Sequence, residues 1–307
     1  MRQIIDLIKQ TFKEWQEDKA SRLAAALAFY AILSIPPLLV LAIAIVGQFT
    51  DEAAARETIL SQVGQLMGSG AREAVAMILE AAAQPEGLSW ATAVSLAVLF
   101  FSASGVFVQL QEALNTIWDV MPEPGQGILH TVQKRAVSFL MVIGIGVLLL
   151  LMLLLSSLIA VLDQVLTQVL PFSVTWAKVL NYGLSFLIIT GLIALVYKTI
   201  PDVEIVWRDV WVGAVVTAVL FALGVVGISI YTQVGNPTSG YGAAGSLIIL
   251  LVWVYYSAQI VFLGAEFTQV YANRFGHYIR PDDHAVYMPG TQPTPEQQRQ
   301  RQKEKTA

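Results

Sequence analysis

A single carboxylate, that of Glu266, interrupts an apolar stretch long enough to cross a lipid bilayer. An ionisable side chain at the centre of such a stretch costs roughly 2.5 to 3.5 kcal/mol on insertion scales, so it commonly marks an ion or substrate pathway. At about 1.5 Å per residue, Glu266 lies roughly 35 Å beyond Ala243 and therefore near the far end of the helix. Two interpretations stay open: a substrate or proton role, or a structural ion pair with Arg22, Arg135 or Arg208 at the cytoplasmic rim.

Other polar residues accompany this carboxylate. Gln259 lies about two turns earlier on nearly the same helical face. In a separate segment, Gln109, Glu112, Asn115 and Asp119 recur at intervals of three and four, which places them on one face of a helix. That face is suited to lining a cytoplasmic vestibule, although a span that simply emerges into water shows the same pattern.

The residue types that soluble enzymes use are scarce. The three histidines, His130, His277 and His284, form neither an H-x-H nor an H-E-x-x-H arrangement. The chain has no cysteine, no glycine-rich phosphate loop after a strand, and no basic patch interleaved with aromatic residues. We therefore expect no enzyme activity, no metal or other cofactor, and no nucleic-acid partner.

The elements that carry these residues are predicted to be membrane helices. Hydrophobic residues make up 56% of the 307 residues and charged residues only 13%, about half the share in soluble domains. About 20 apolar residues span a bilayer as a helix, because lipid offers no partners to an unpaired backbone. We predict an all-α polytopic membrane protein with six transmembrane helices, at about 23–49, 88–110, 136–162, 179–199, 210–231 and 243–271. Pro36 and Pro37 predict a kink in the first span.

Flanking segments complete the predicted architecture. Residues 1–20 form an amphipathic helix that either lies in the membrane interface or caps the bundle. The loop 50–86 is expected to hold two amphipathic helices around a glycine-rich turn, and the polar tail 276–307 to be disordered. Lys and Arg are concentrated on one side of the predicted spans, the other side holding only Arg56, Arg72 and Lys178. By the positive-inside rule, both termini are cytoplasmic.

Four stretches in order resemble the YihY/BrkB family of bacterial inner-membrane proteins. They are AAALAFYAILSIPPLL, FFSASGVFVQLQEALNTIWDV, YKTIPDVEIVWRDVWVGA and YGAAGSLIILLVWVYYSAQIVFLGAEF. The resemblance runs from about Arg22 to Phe275 and implies a six-span protein of the cytoplasmic membrane, in a family linked by name to serum resistance. A ribonuclease label also attached to that family is not expected to apply, because paired metal ligands are missing from this sequence.

The polar groups within the apolar runs favour a nucleotide-independent transporter, or flippase-like protein, for a lipid or other amphiphile. The kinked first span and the amphipathic loop suit a cavity that opens to a leaflet. The alternative is a non-transporting membrane scaffold in envelope organisation, in which the same groups pair internally. Membrane lipids are the expected partners under either hypothesis, and a homo-oligomer is compatible with both.

Overall fold

A computed structural model of the chain describes residues 2–46, 51–82, 105–124, 173–235 and 244–291, and these are mostly helical. Its helices are α1 (Arg2–Glu17), α2 (Ala20–Val46), α3 (Glu52–Met67), α4 (Ser69–Ala82), α5 (105–117), α6 (Ser173–Thr199), α7 (Trp207–Gly235) and α8 (Ala244–Phe275). Four short strands also occur: β1 (Val120–Pro122), β2 (Val203–Glu204), β3 (Arg280–Pro281) and β4 (Ala285–Tyr287).

Helix α8 is the central element of the bundle. It packs against α7, α2, α1 and α4, while α6 packs against α7 and also reaches α8 through Tyr197. A Cβ atom at Gly213 of α7 would collide with Thr268 of α8, and one at Gly264 of α8 would collide with Thr217 of α7. Small residues thus bring the two backbones together, as is common between membrane helices.

Buried hydrogen bonds fasten α6 to this crossing. The fully buried Tyr197 of α6 donates to the Val261 carbonyl at 2.6 Å and lies 3.1 Å from the Thr217 hydroxyl. In addition, Thr217 donates to the Gly213 carbonyl at 2.7 Å, within its own helix. The hydroxyls at the crossing therefore have partners without water, which fixes how α6, α7 and α8 sit against one another.

Residues 276–291, which follow α8, hold two connections together at one end of the bundle, and we call this segment the strap. Strand β4 pairs antiparallel with β1, and β3 pairs antiparallel with β2. Asp209, which is 1% exposed, accepts a hydrogen bond from the His277 backbone N–H at 2.8 Å. The predicted disorder is therefore wrong for residues 276–291, because backbone pairing with two earlier loops orders them. Residues 292–307 lie outside the described residues.

Helix α1 packs on α8 with one face and leaves an apolar row uncovered. Leu7 and Thr11 are buried, whereas Ile4, Ile8 and Phe12 are 62%, 48% and 50% exposed. Both predicted roles are thus partly represented: α1 does cap the bundle, and its apolar row still faces outward. Such a row is typical of a helix lying in a membrane interface.

Helices α3 and α4 form a hairpin at the other end of α8. Gly68 joins them with a positive φ of 89°, which glycine adopts without strain. Ala71 and Ala74 of α4 pack on Leu250, near the start of α8. Leu250 and Phe275 are separated by roughly 38 Å of helix, so the hairpin and the strap lie at opposite ends of the bundle.

The described helices support a membrane protein but not the full set of six spans. By length and composition, Trp207–Gly227 and Gly245–Phe275 are able to cross a membrane, and Ala20–Pro36 and Gly183–Thr199 are shorter apolar helices. The span predicted at 136–162 and most of the one at 88–110 lie outside the described residues. Pro36 and Pro37 lie within α2, which continues as a helix to Val46, and the kink there stays a prediction.

Candidate functional site

Glu266 lies in α8 at the end of the bundle that carries the strap. Its side chain is completely buried, at 0% exposure, and within the described residues no N–H or hydroxyl group donates to its carboxyl oxygens, whose one side-chain partner is the carboxyl of Asp18. Buried polar atoms almost always have partners, since an unpaired one forfeits its hydration without compensation. Glu266 is therefore the one carboxyl among the three described side chains that bury a polar atom without a donor or acceptor partner, the others being Trp15 and Gln259.

Two neighbouring turns bring further acids to Glu266. Asp18 lies between α1 and α2, beside Lys19 with a φ of 53°, and Asp119 follows α5 with a φ of 57°. These left-handed residues follow the ends of α1 and α5, and the chain turns at each of them. Asp18, Glu14 and Asp119 all act electrostatically on Glu266, so four carboxyl groups gather where α1, α5 and α8 meet. We call these four residues the acidic junction.

Burial and like charge alter the titration of the junction's outer members. Burial, reinforced by the negative charges of Asp119 and Glu14, raises the pKa of Asp18 from 3.8 to about 7. Burial likewise raises the pKa of Asp119, with Glu14 adding to the effect. A hydrogen bond of 2.9 Å from Gln269 Nε2 to Asp119 Oδ2 opposes it, because the donor favours the charged carboxylate.

The predicted polar face of α5 is divided between different environments. Asn115 is buried, donating to Asp202 Oδ2 at 2.8 Å and accepting from the Asp202 backbone N–H at 2.9 Å. Gln111 Nε2 donates to Asp202 Oδ1 at 3.0 Å. By contrast, Glu112 is exposed and Gln109 is half-buried. Asn115 thus ties α5 to the loop before β2 rather than lining a vestibule together with Glu112.

Gln259 is separate from the acidic junction. It lies two turns before Glu266 in α8, half-buried, and its Nε2 donates to the Tyr255 hydroxyl of the same helix at 2.6 Å. Its buried Oε1 has no hydrogen-bond partner within the described residues. A shallow cleft of about 160 Å³ between α7 and α8, lined partly by Phe221, Trp253 and Tyr256, does not include Gln259.

The predicted arginine partners of Glu266 do not contact its carboxyl oxygens within the described residues. Arg22 and Arg208 are both exposed, and Arg135 lies outside the described residues. What surrounds Glu266 is acidic, the reverse of the predicted ion pair. The four described members of the predicted cavity set (Gln109, Glu112, Asn115, Gln259) do not meet at Glu266.

Asp18, Glu14, Asp202 and Gln269 were not singled out from the sequence. Asp18 and Glu14 belong to a charged N-terminal segment whose sequence pattern is typical of an ordinary solvent-exposed helix face. The spacing of Glu14 and Asp18, one helical turn apart, offered the only local signal, because it places two like charges on one face. Their meeting with Glu266 depends on how α1 packs against α8.

Comparisons with known proteins agree on the family. The sequence model described as "Virulence factor BrkB" matches residues 11–287. The chain is 30% identical over 268 residues to a UPF0761 membrane protein of Verminephrobacter eiseniae, covering 84% of this chain and 60% of the relative. It is 28% identical over 263 residues to a UPF0761 membrane protein of Vibrio campbellii, covering 85% of this chain and 81% of that relative.

The chain thus spans less than two thirds of the Verminephrobacter relative, although it covers most of the Vibrio one. No solved structure matches the chain. The family match begins at residue 11, within α1, and includes the acidic junction, α8 and the strap up to Tyr287. With its long apolar helices and its membrane-protein relatives, the chain belongs to the virulence factor BrkB family of membrane proteins.

Proposed function

We propose that this protein moves a lipid or other amphiphile across the bacterial cytoplasmic membrane without nucleotide hydrolysis. The observation that carries the proposal is Glu266, a fully buried carboxyl within a membrane-capable helix, which among the described residues has another carboxyl, that of Asp18, as its only side-chain partner. Because such a group destabilises a bundle that has no use for it, a role in transport is a natural explanation. The proposal involves no covalent change to the substrate, and thus no enzyme or nuclease activity.

The proposed orientation places the strap end and both termini in the cytoplasm. Basic residues are frequent at that end of the described bundle (Lys13, Lys19, Arg22, Lys198, Arg208, Arg274, Arg280). The α3–α4 hairpin, at the opposite end, has only Arg56 and Arg72. This distribution supports an extracytoplasmic hairpin, since cytoplasmic segments retain the excess of Lys and Arg.

The exposed side chains of α1 support contact with lipid at the cytoplasmic end. Ile4, Ile8 and Phe12 face outward, while Lys9 and Lys13 of the same helix are exposed and charged. Apolar residues beside basic ones suit an interface between acyl chains and anionic headgroups. Helix α1 therefore links the leaflet to the acidic junction, because the opposite face of the same helix contributes Glu14 to it.

A membrane scaffold is the second candidate, and specific contacts favour it. Asn115 pairs with Asp202, and Gln259 pairs with Tyr255, so two predicted cavity residues have separate protein partners. Internal pairing of this kind is what a non-transporting protein would need. Glu266 distinguishes the two candidates, because a scaffold gains nothing from a buried carboxyl whose side-chain partner is a second acid.

The test is transbilayer movement of labelled phospholipid in proteoliposomes containing the full chain. The parent protein is compared with Glu266→Gln and with the matched control Glu204→Gln, an exposed residue at the same end. We expect movement above that of protein-free vesicles, loss of most of it in Glu266→Gln, and none of that loss in Glu204→Gln. Folded yield of each variant is measured by size-exclusion chromatography in detergent.

No movement by the well-folded parent would reject lipid transport and favour the scaffold. Movement retained in a folded Glu266→Gln variant would remove Glu266 from the pathway. Loss of folded yield in Glu266→Gln alone would assign the residue a structural role instead.

A further inference from the structure

The acidic junction combines a sealed carboxyl with half-buried ones. Glu266 is completely buried, whereas Glu14, Asp18 and Asp119 are half-buried at the end of the bundle. Those three therefore connect bulk water with a carboxyl that has no direct contact with it. A path from solvent to a buried acid is the basic requirement of a site that loads and releases a small cation.

The charged groups acting on Glu266 and Asp18 are all acidic among the described residues. Glu14 and Glu17 act from α1, and Asp119 acts from the turn after α5. Gln269, one turn along α8 from Glu266, donates to Asp119 rather than to Glu266. Among the described residues, Glu17 pairs with the exposed Lys13 at 3.5 Å, but no basic group is among those acting on Asp18 or Glu266, so the positive charge that neutralises this pair comes from outside the protein.

Unsatisfied polar atoms extend beyond the carboxyl. Trp15 lies one turn before Asp18 in α1, and its buried Nε1 has no hydrogen-bond partner in the described part of the chain. An indole N–H is a donor only, so it can hold a water molecule but not a metal ion. Within the described residues, no group of three or more His, Asp and Glu side chains is placed to hold a metal ion. The cation that fits a two-carboxyl site of this kind is the proton.

We propose that Asp18 and Glu266 form a proton-binding carboxyl pair, and that the proton is the coupling ion of the protein. The coupling role rests on the transport function proposed above, whereas the proton site does not. A proton from cytoplasmic water binds a carboxylate oxygen at the half-exposed Asp18 and is held against the buried Glu266. Asp119 and Glu14 favour retention of the proton through their negative charge, and coupling requires that transport then releases the proton on the opposite side of the membrane.

The titration of Asp18 agrees with this geometry. Burial, with Asp119 and Glu14 adding to it, raises the pKa of Asp18 to about 7. A carboxyl that titrates near neutrality changes its charge over the range of cytoplasmic pH, which an ordinary aspartate cannot do. Like-charged carboxyls that share a site release their protons in two separate steps that belong to the pair, so one proton is expected to leave near neutrality and the other only at higher pH.

The experiment follows the infrared band of protonated carboxyl groups in the reconstituted full chain as pH is varied through neutrality. The variants are Asp18→Asn, Asp119→Asn and the exposed control Glu204→Gln. We expect part of the parent's band to be lost as the pH rises through about 7, the same loss in Glu204→Gln, and no step near pH 7 in Asp18→Asn, in which Glu266 is the only member of the pair able to hold a proton. Asp119→Asn keeps the pair but removes a repulsive charge, so its transition shifts to lower pH.

Asp119→Asn keeps the proposal testable if Asp18→Asn fails to fold. Asparagine accepts the left-handed backbone of residue 119 and can still accept the bond from Gln269. A parent band that does not titrate near neutrality, or a transition that neither variant moves, would overturn the proton site. A band shifted by sodium at constant pH would overturn it in favour of a metal cation.

Lipid movement in the same vesicles separates this proposal from the proposed function. A titrating band without any lipid movement would retain the proton site and reject transport. Lipid movement that is insensitive to a pH gradient and to Asp18→Asn, with no titrating band, would retain transport and reject the proton site. Movement that follows the pH gradient, and loses this dependence in Asp18→Asn, supports both.

Discussion

The two ends of α8 are stabilised by different means. Buried polar groups lie near its C-terminal end. Glu266 belongs to the acidic junction, and Asn115 donates a hydrogen bond to Asp202. Near its start, Leu250 packs on Ala71 and Ala74 of the α3–α4 hairpin, and the ion pair of Arg72 with Glu57 in that hairpin is exposed. The C-terminal end of α8 therefore depends on polar pairing, whereas its N-terminal end depends on the close packing of apolar side chains.

This difference indicates which end is specialised. Apolar packing tolerates substitutions of similar volume, whereas a buried polar network is sensitive to the loss of any member. A protein that needed only a stable bundle could use apolar packing at both ends. The polar end thus contains groups whose retention calls for a function, and the four predictions below test how sharp the contrast is.

The largest effect is expected for Asn115→Leu. The substitution removes both the donor to the Asp202 carboxylate and the acceptor of the Asp202 backbone N–H. Because a charged group then loses partners in a buried setting, we expect a loss of about 3 kcal/mol in the free energy of unfolding. Unfolding by SDS in mixed micelles measures it, with the exposed Glu112→Gln as control. A loss under about 1 kcal/mol would mean that the polar end is no more sensitive than an ordinary surface.

Leu250→Ala tests the apolar end. Leu250 is 1% exposed, and its alanine neighbours on α4 are too short to fill the space that it would leave. We expect a loss of about 2 kcal/mol in the free energy of unfolding, at the low end for buried leucines because lipid weakens the hydrophobic contribution. The neighbouring Leu251, 41% exposed, supplies the control Leu251→Ala. Equal effects of the two substitutions would contradict the packing of the hairpin on α8.

The dependence of stability on pH gives a third comparison of the two ends. The pKa of Asp18 is raised from 3.8 to about 7, so the folded protein holds this proton more tightly than the unfolded chain does. The resulting stabilisation is present in full below pH 3.8 and is lost as the pH rises through about 7. Thermal unfolding midpoints of the parent should fall across this interval, and Asp18→Asn should flatten the profile. A profile that rises with pH in the parent and is unchanged in the variant would contradict the assignment.

The smallest effect is expected for Arg72→Gln. Its guanidinium lies 2.7 Å from Glu57, but the two side chains are 47% and 65% exposed. Solvent screens such pairs, so the loss should be under about 1 kcal/mol and should vanish at high salt. The measurement is the same SDS titration at low and high ionic strength. A larger loss in the free energy of unfolding that salt does not reduce would mean that the hairpin end also depends on polar pairing.

Several features of this protein were predictable from local sequence. Apolar runs indicated the helices that became α2, α6, α7 and α8, because lipid-spanning backbone must satisfy its hydrogen bonds within each helix. The glycine-rich interruption at Gly68 predicted the hairpin of α3 and α4. The four stretches whose resemblance suggested the family all lie within the region that its sequence model matches. Each of these signals is contained within about 30 consecutive residues, at the scale of one long helix.

The sequence by itself also determined that a carboxylate, Glu266, belongs to the longest apolar helix. Only the tertiary structure decided that its neighbours are Asp18, Glu14 and Asp119 rather than an arginine. The strap was equally hidden, because β3 and β4 consist of two and three residues whose partners lie far away in the chain. The physical reason is common to both: short strands and isolated charges have no periodicity, so their partners are set by how the helices pack.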